Sequence, residues 1–165
     1  MRVDKANLRW LWLSIVVLAV DQLSKWAALA GLSYAHPVEV LPFFDLTLLY
    51  NTGAAFSFLA DHDGWQRWFF VFLAGVITAA LLAWLVFVAI RDWRVKAGIT
   101  AVIGGAIGNV IDRVAYGHVV DFLDFHVAGW HWPAFNIADA AITIGVALII
   151  WAELRPAGRE SVSDE

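Results

Sequence analysis

The stretch Gly104–Asp139 reads GGAIGNVIDRVAYGHVVDFLDFHVAGWHWPAFNIAD, and its reading decides the fold. A glycine-rich apolar run carries Asn109, Asp112 and Arg113 near its end. A short connection with Asp121 and Asp124 follows, and a second apolar run opens with Asn136 and Asp139. Polar groups at the same end of two hydrophobic segments are costly in a bilayer and mark a working site by default. The expectation is a site holding two carboxylates between membrane helices.

Composition supports the membrane. Of 165 residues, 61% are apolar and 16% charged, and the mean hydropathy is +0.70, a profile of long apolar runs with sparse charge. The length suits one domain, residues 1–155, followed by a disordered tail at 156–165. With no cysteine, disulfides, thiolate metal sites and a cysteine nucleophile are excluded. His36, His62, His118, His126 and His131 are scattered without a ligand spacing, so neither a metal nor another cofactor is expected. No basic stripe points to nucleic acid.

Four spans follow from the apolar runs, at about 10–30, 68–90, 97–115 and 134–152. Trp68–Ile90 is uncharged over 23 residues. The first run also fits a cleaved signal peptide, with a basic start and Ala28-Leu29-Ala30 as its cleavage site. Against that, Asp21 and Lys25 stand four apart, on one helix face where they can pair, and a discarded segment needs no such pair. The third span has Gly98, Gly104, Gly105 and Gly108 for close helix approach. Between the first two spans, 31–67 is an outer loop. Its Val38–Phe58 part is rich in β-branched and aromatic residues, with a turn at Asn51-Thr52-Gly53. A small strand-rich cap on the membrane surface is expected there. Asp61-His62-Asp63-Gly64 reads as a solvated loop before a helix rather than a metal site.

Eight of the eleven Lys and Arg residues, namely Arg2, Lys5, Arg9, Arg91, Arg94, Lys96, Arg155 and Arg159, fall on one side of this topology. By the positive-inside rule both termini are cytoplasmic, and 31–67 and 115–133 lie outside. At 1.5 Å rise per residue, Asp21 and Lys25 stand roughly 18–24 Å above the inner boundary, Asp112 about 24 Å and Asp139 about 20 Å. Three helices thus bring polar groups to one level in the outer third of the bilayer.

Two carboxylates in a dry site cannot both ionise cheaply, so one stays protonated near neutral pH. The ionised partner can take a proton from water while the protonated one polarises a carbonyl. This is aspartic peptidase chemistry. Asp139 is one candidate, and Asp121 and Asp124, both preceding Phe in VVDFLDF, compete for the other place. The bland reading is that these acids only pair with Arg113 and Lys25 to hold the bundle together. Asn109, Asn136 and Arg113 are candidate supports, since amides position acids and Arg113 can pair with a carboxylate or lipid phosphate. Asn51 is either a support or a turn former. A small proton-coupled transporter is the alternative, with Asp21, Lys25, Asp112 and Asp139 as a relay, although no internal repeat is evident.

The chain resembles the bacterial lipoprotein signal peptidases (signal peptidase II). The matching pieces are Asp21-xxx-Lys25, Asn51-Thr52-Gly53-Ala54-Ala55-Phe56-Ser57 and Gly104-Gly105-Ala106-Ile107-Gly108-Asn109-Val110-Ile111-Asp112-Arg113. Val119-Val120-Asp121-Phe122 and Phe135-Asn136-Ile137-Ala138-Asp139 complete them in the same order. The resemblance implies an α-helical integral membrane protein of four transmembrane helices with a small periplasm-facing β-rich cradle, in the bacterial inner membrane. It implies an aspartyl endopeptidase that cuts prolipoproteins before the diacylglyceryl-modified cysteine of the lipobox and is sensitive to globomycin-type inhibitors. Separately, nothing in the sequence demands more than a monomer. By position it assigns catalysis to Asp121 and Asp139, preferring Asp121 over Asp124. Asp21, Lys25, Asn51, Gly53, Gly108, Asn109, Arg113 and Asn136 match substrate-binding or supporting positions. One departure is Asp45 in PFFDLT, where the family often has Asn.

Overall fold

The computed structural model describes residues 5–53 and 64–154. Arg2, Arg155, Arg159, the motif residues Ala54–Ser57, the Asp61-His62-Asp63 loop and the expected tail at 156–165 lie outside them.

A short helix α1 (Lys5–Leu8) leads into α2 (Leu11–Gly31), and α3 (Trp65–Phe87), α4 (Trp93–Tyr116) and α5 (Ile137–Leu154) follow. Among the described residues four helices, Ala6–Gly31, Trp65–Phe87, Trp93–Tyr116 and Ile137–Leu154, are long and apolar enough to cross a membrane. α4 is the axis. It packs against α2, α3 and α5 and is buried continuously from Ala97 to Ala106, whereas α3 leaves Trp68, Phe72 and Val76 exposed as a lipid-compatible face.

Close approach explains why the axis is glycine-rich. A Cβ on Gly98 would lie 2.5 Å from the Gly145 carbonyl oxygen, and one on Gly145 would lie 2.7 Å from that of Gly98. α4 and α5 therefore touch backbone to backbone, the packing that small residues permit between membrane helices.

The observed boundaries differ from those read off hydropathy, and capping gives the reasons. α3 ends at Phe87 rather than Ile90 because the buried Asn7 amide takes the Leu85 and Val88 carbonyls at 3.1 and 2.9 Å, partners that a helix C-terminus lacks. α4 starts at Trp93 because Asp92 caps it, its carboxylate accepting from Arg94 N–H at 2.8 Å. It stops at Gly117, which takes the left-handed φ of 84° that glycine tolerates. α5 starts at Ile137 instead of Ala134 because Phe135 belongs to the sheet, exchanging backbone hydrogen bonds with Leu123.

Four antiparallel strands form one sheet in chain order, β1 (Val38–Leu41), β2 (Phe44–Asn51), β3 (Val119–Val127) and β4 (Trp130–His131). The expected cap is thus present in β1 and β2. Its second half comes from the segment between the third and fourth spans, which sequence had marked only as a short connection. Register pairs Asp45 with Asp124 and Leu49 with Asp121, with an irregularity between Leu46 and Leu49. Val119, Val120, Asp121 and Phe122 are all buried, so the period-2 signal of a half-exposed strand is missing where β3 meets the helices.

Candidate active site

Asp121 sits on β3 and Asp139 in the first turn of α5. Amides hold both. Asp121 accepts from Asn51 Nδ2 at 3.1 Å on Oδ2 and from Asn136 Nδ2 at 2.7 Å on Oδ1. Asp139 accepts from Asn109 Nδ2 at 2.8 Å, and its backbone N–H donates to Asn136 Oδ1 at 2.9 Å. Asn136 is therefore the helix cap of α5 and the bridge between the two acids.

The cation is held elsewhere. Lys25 Nζ lies 2.9 Å from both Asp21 Oδ2 and Asp112 Oδ2 and donates to Asn109 Oδ1 at 3.0 Å. The Asp21–Lys25 pair expected from spacing is present. Lys25 thus pairs with Asp21 and Asp112 and not with the acids of the bundle-holding reading. Among the described residues Asp121 and Asp139 pair with no Lys or Arg within 4.0 Å, which separates two structural carboxylates from two that are only hydrogen-bonded. The orientation of the Asn109 amide follows, since its oxygen faces the ammonium and its nitrogen is left for Asp139.

Of the two partners weighed for Arg113, a carboxylate or a lipid phosphate, no carboxylate lies within 4.0 Å of its guanidinium among the described residues. Its Nη2 donates to the Gly53 carbonyl at 3.0 Å, and its guanidinium stacks 5.1 Å from the Phe70 ring centroid. Asn51 makes contacts of both kinds weighed for it: its oxygen accepts from Gly53 N–H at 3.0 Å, closing a turn, while its nitrogen donates to Asp121 at 3.1 Å. Gly108 has no room for a side chain, as a Cβ there would strike the Asp21 carboxylate. Asp21 in turn accepts from Ala138 N–H at 2.9 Å and so satisfies the start of α5.

Asp124 is placed away from this group. It lies an odd number of residues from Asp121, so the strand turns it to the other face, where Thr47 Oγ1 donates at 3.2 Å and His131 Nδ1 lies at 2.8 Å. The departure at Asp45 stays on that face too, 3.3 Å from His126 Nε2. Gln22 went unremarked in the sequence; its amide donates to Asp112 Oδ1 at 3.0 Å and the Gly108 carbonyl at 3.2 Å. Only its place beside Asp21 could have drawn attention to it.

A cavity of about 590 Å³ opens on the group. Asn51, Asn109, Arg113 and Asp139 form its polar end, and Trp132, Pro133, Phe135, Ile142 and Ile144 its apolar side. Asp121 is only 3% exposed. Burial, and next the negative charge of Asp139, push its carboxyl up to about 7, against the opposing pull of the Asn51 and Asn136 amides and Lys25. One acid is thus readily neutral at physiological pH, beside a second acid on the wall of a half-apolar cavity.

The fold and this group define a multi-pass membrane protein with a carboxylate pair suited to acid–base work. Residues 13–155 match the family model of signal peptidase (SPase) II. The chain belongs to the signal peptidase II family. It is 54% identical over 148 residues to the lipoprotein signal peptidase of Polynucleobacter necessarius subsp. necessarius, a match covering 90% of each chain. It is 48% identical over 164 residues to that of Aeromonas hydrophila subsp. hydrophila, covering 99% of this chain and 98% of the relative. A bacterial membrane enzyme structure solved by the in meso method at 2.3 Å superposes with a TM-score of 0.84 at 32% identity, covering 100% of this chain and 99% of the other. As a signal peptidase the protein is a protease, and the transporter reading is not favoured.

Proposed function

We propose that Asp121 and Asp139 are the catalytic pair of an aspartic endopeptidase that removes signal peptides from prolipoproteins. The observation that carries this is the contrast in partners. Two acids are tied to the buried lysine, while the other two are held by amides and bridged through Asn136, one of them on the cavity wall.

In this reading neutral Asp121 donates a hydrogen bond to the scissile carbonyl oxygen, and ionised Asp139 takes a proton from the attacking water. Asp121 passes its proton to the carbonyl oxygen as the tetrahedral intermediate forms. On collapse Asp139 gives the proton taken from water to the leaving amine, and the C–N bond breaks. Asp121 recovers its proton from the intermediate's hydroxyl, so both acids return to their starting states. Asn51, Asn109 and Asn136 keep the acids oriented, and pre-set hydrogen bonds lower the reorganisation needed during reaction. Asp21, Lys25 and Gly108 hold α2 against the start of α5. Arg113, which lines the cavity, fixes the backbone at Gly53.

The substrate is a prolipoprotein with a lipobox whose cysteine carries diacylglycerol, and the cut falls before that cysteine. The apolar side of the cavity suits a substrate whose acyl chains stay in the bilayer. Globomycin-type inhibitors are expected to occupy the same cavity. The protein works as a monomer in the bacterial inner membrane, both termini cytoplasmic, with the site facing the periplasm; the sidedness rests on the Lys and Arg distribution.

The test is a gel-shift cleavage assay on a diacylated prolipoprotein with purified wild type, Asp121→Asn and Asp139→Asn. Cleavage by wild type and none by either folded variant is the expected result. Near wild-type turnover in either variant would remove that residue from the pair.

A further inference from the structure

We propose that Asp112 is a positioning residue for Asp121, acting as a backbone tether that fixes where β3 enters the site. The two are nine residues apart in sequence and in different elements, and the connection passes through Gly117 in its left-handed conformation. That turn is closed by Gly117 N–H on the Arg113 carbonyl at 3.1 Å, a bond that does not extend to the strand entry, which needs a hold of its own. The tether supplies it: Val120 N–H, the amide just before Asp121, donates to Asp112 Oδ2 at 3.1 Å.

The peptide units flanking Val120 are gripped from both sides. The Val120 carbonyl accepts from Asn136 Nδ2 at 3.3 Å, the same amide that holds Asp121 Oδ1. Asp112 itself is 1% exposed and cannot swing freely, because Lys25 Nζ lies 2.9 Å from Oδ2 and Gln22 Nε2 donates to Oδ1 at 3.0 Å. Three donors from α2 and β3 thus converge on two oxygens of one α4 side chain. Asp112 touches neither acid, so its influence on the rate runs through the groups it holds: Val120 beside Asp121, and Lys25, which also fixes the Asn109 amide on Asp139. Exchange at Val120 reports the first route alone.

A purely charge-balancing role makes a different forecast. Lys25 already has Asp21 as a partner at 2.9 Å, and two carboxylates around one ammonium leave an excess buried negative charge. Neutralising Asp112 would then be harmless. As a tether it is not harmless, because one amide oxygen cannot serve Lys25, Gln22 and Val120 together, and the amide nitrogen would face a donor.

The inference rests on the peptidase function proposed for the pair, and the experiment separates the two. Full-length Asp112→Asn and Asp112→Ala are compared with wild type in detergent by thermal unfolding, steady-state cleavage of a diacylated lipobox peptide and amide hydrogen exchange. Expected is faster exchange at Val120 in both variants, larger for Asp112→Ala. With it, kcat falls roughly tenfold to a hundredfold at unchanged KM, as a small displacement of a reacting group produces. Unchanged Val120 exchange in folded Asp112→Ala, or wild-type kcat despite faster exchange, would overturn the proposal. If Asp112→Ala does not fold, Asp112→Asn decides by the same two readouts. An inert wild type would sink the peptidase reading instead, while the exchange data would still report on the tether.

Discussion

Asn136 and Asp121 are joined at 2.7 Å, and the same asparagine receives the backbone N–H of Asp139 at 2.9 Å. One fully buried side chain thus sets the offset between the strand that carries one acid and the helix that carries the other. Its nitrogen also lies 3.3 Å from Asn109 Oδ1, so the four groups act as one unit.

Replacing Asn136 with Ala should therefore do more than remove a helix cap. It strips partners from Asp121 and from the first turn of α5, and buried groups left unpaired cost about 1–3 kcal/mol each. Lower melting temperature together with near-total loss of cleavage is expected. Asn136→Asp should be worse at neutral pH, because it sets a carboxylate against Asp121 Oδ1. Full activity in either folded variant would show that Asn136 only caps.

Asp121 gives a pH signature with a defined sign. Its carboxyl moves from the ordinary 3.8 up to about 7 in the folded protein, through burial and the Asp139 charge. The folded state therefore holds the proton more tightly than the unfolded one. The associated stability is fully present below 3.8 and is lost as pH rises through about 7. In the proposed mechanism neutral Asp121 is also the form that donates to the carbonyl, so cleavage should fall on the alkaline side of about 7. Melting curves and kcat/KM against pH check both. Asp121→Asn should flatten the stability profile, and a rate constant with no alkaline limb between about pH 6 and 9 would contradict the assignment.

How much of this was legible in the sequence varies with the physics behind each element. The four spans were plain, because the cost of charge in a bilayer leaves long uncharged runs such as Trp68–Ile90. Their ends were not, because Asn7 acts on α3 from 78 residues away and no local signal encodes such a cap. Asn109, Asn136 and Asp139 stood out as polar groups at the same end of two apolar runs, with Asp121 in the connection between them, and only Asp139 of the pair could be given a depth. The residue pattern left Asp121 and Asp124 open and only the resemblance preferred Asp121, because β3 hides the alternation that would separate them: its first half is buried on both faces. The Asp21–Lys25 pair was readable from helical spacing. That Asp112 joins it depends on how α2 and α4 pack, which spacing within one segment cannot reveal.

Lys25 provides the next test. It is 2% exposed and lies between the carboxylates of Asp21 and Asp112. Lys25→Met leaves both without their cation, and breaking a buried pair by removing one partner costs about 3–5 kcal/mol. The variant should accumulate poorly or melt far below wild type. Because Asn109 also loses the donor that fixes its amide, cleavage by any folded fraction should fall as well. Adding Asp112→Asn should recover folding more than cleavage. A folded, fully active Lys25→Met would show that neither the charge balance nor the amide orientation depends on the lysine.

Two glycines in membrane-length helices should respond in opposite ways to the same substitution. Gly98 faces Gly145 across α4 and α5, where a Cβ would lie 2.5 Å from a backbone oxygen and 2.7 Å from Ile149 Cγ1. Neither helix can move away without disturbing the rest of the α4 interface, and overpacking of this kind costs about 1–3 kcal/mol or more. Gly75 in α3 has nothing within 4 Å of its notional Cβ, and there alanine gains roughly 0.5–1 kcal/mol over glycine in a helix interior. Thermal unfolding in detergent should place Gly98→Ala below wild type and Gly75→Ala at or above it. Both sites are remote from the acids, so specific activity per folded molecule should hold for Gly75→Ala. For Gly98→Ala it should fall only as far as the α4–α5 spacing is transmitted to Asn109 and Asp139, and equal stability of the two variants would refute backbone contact between these helices.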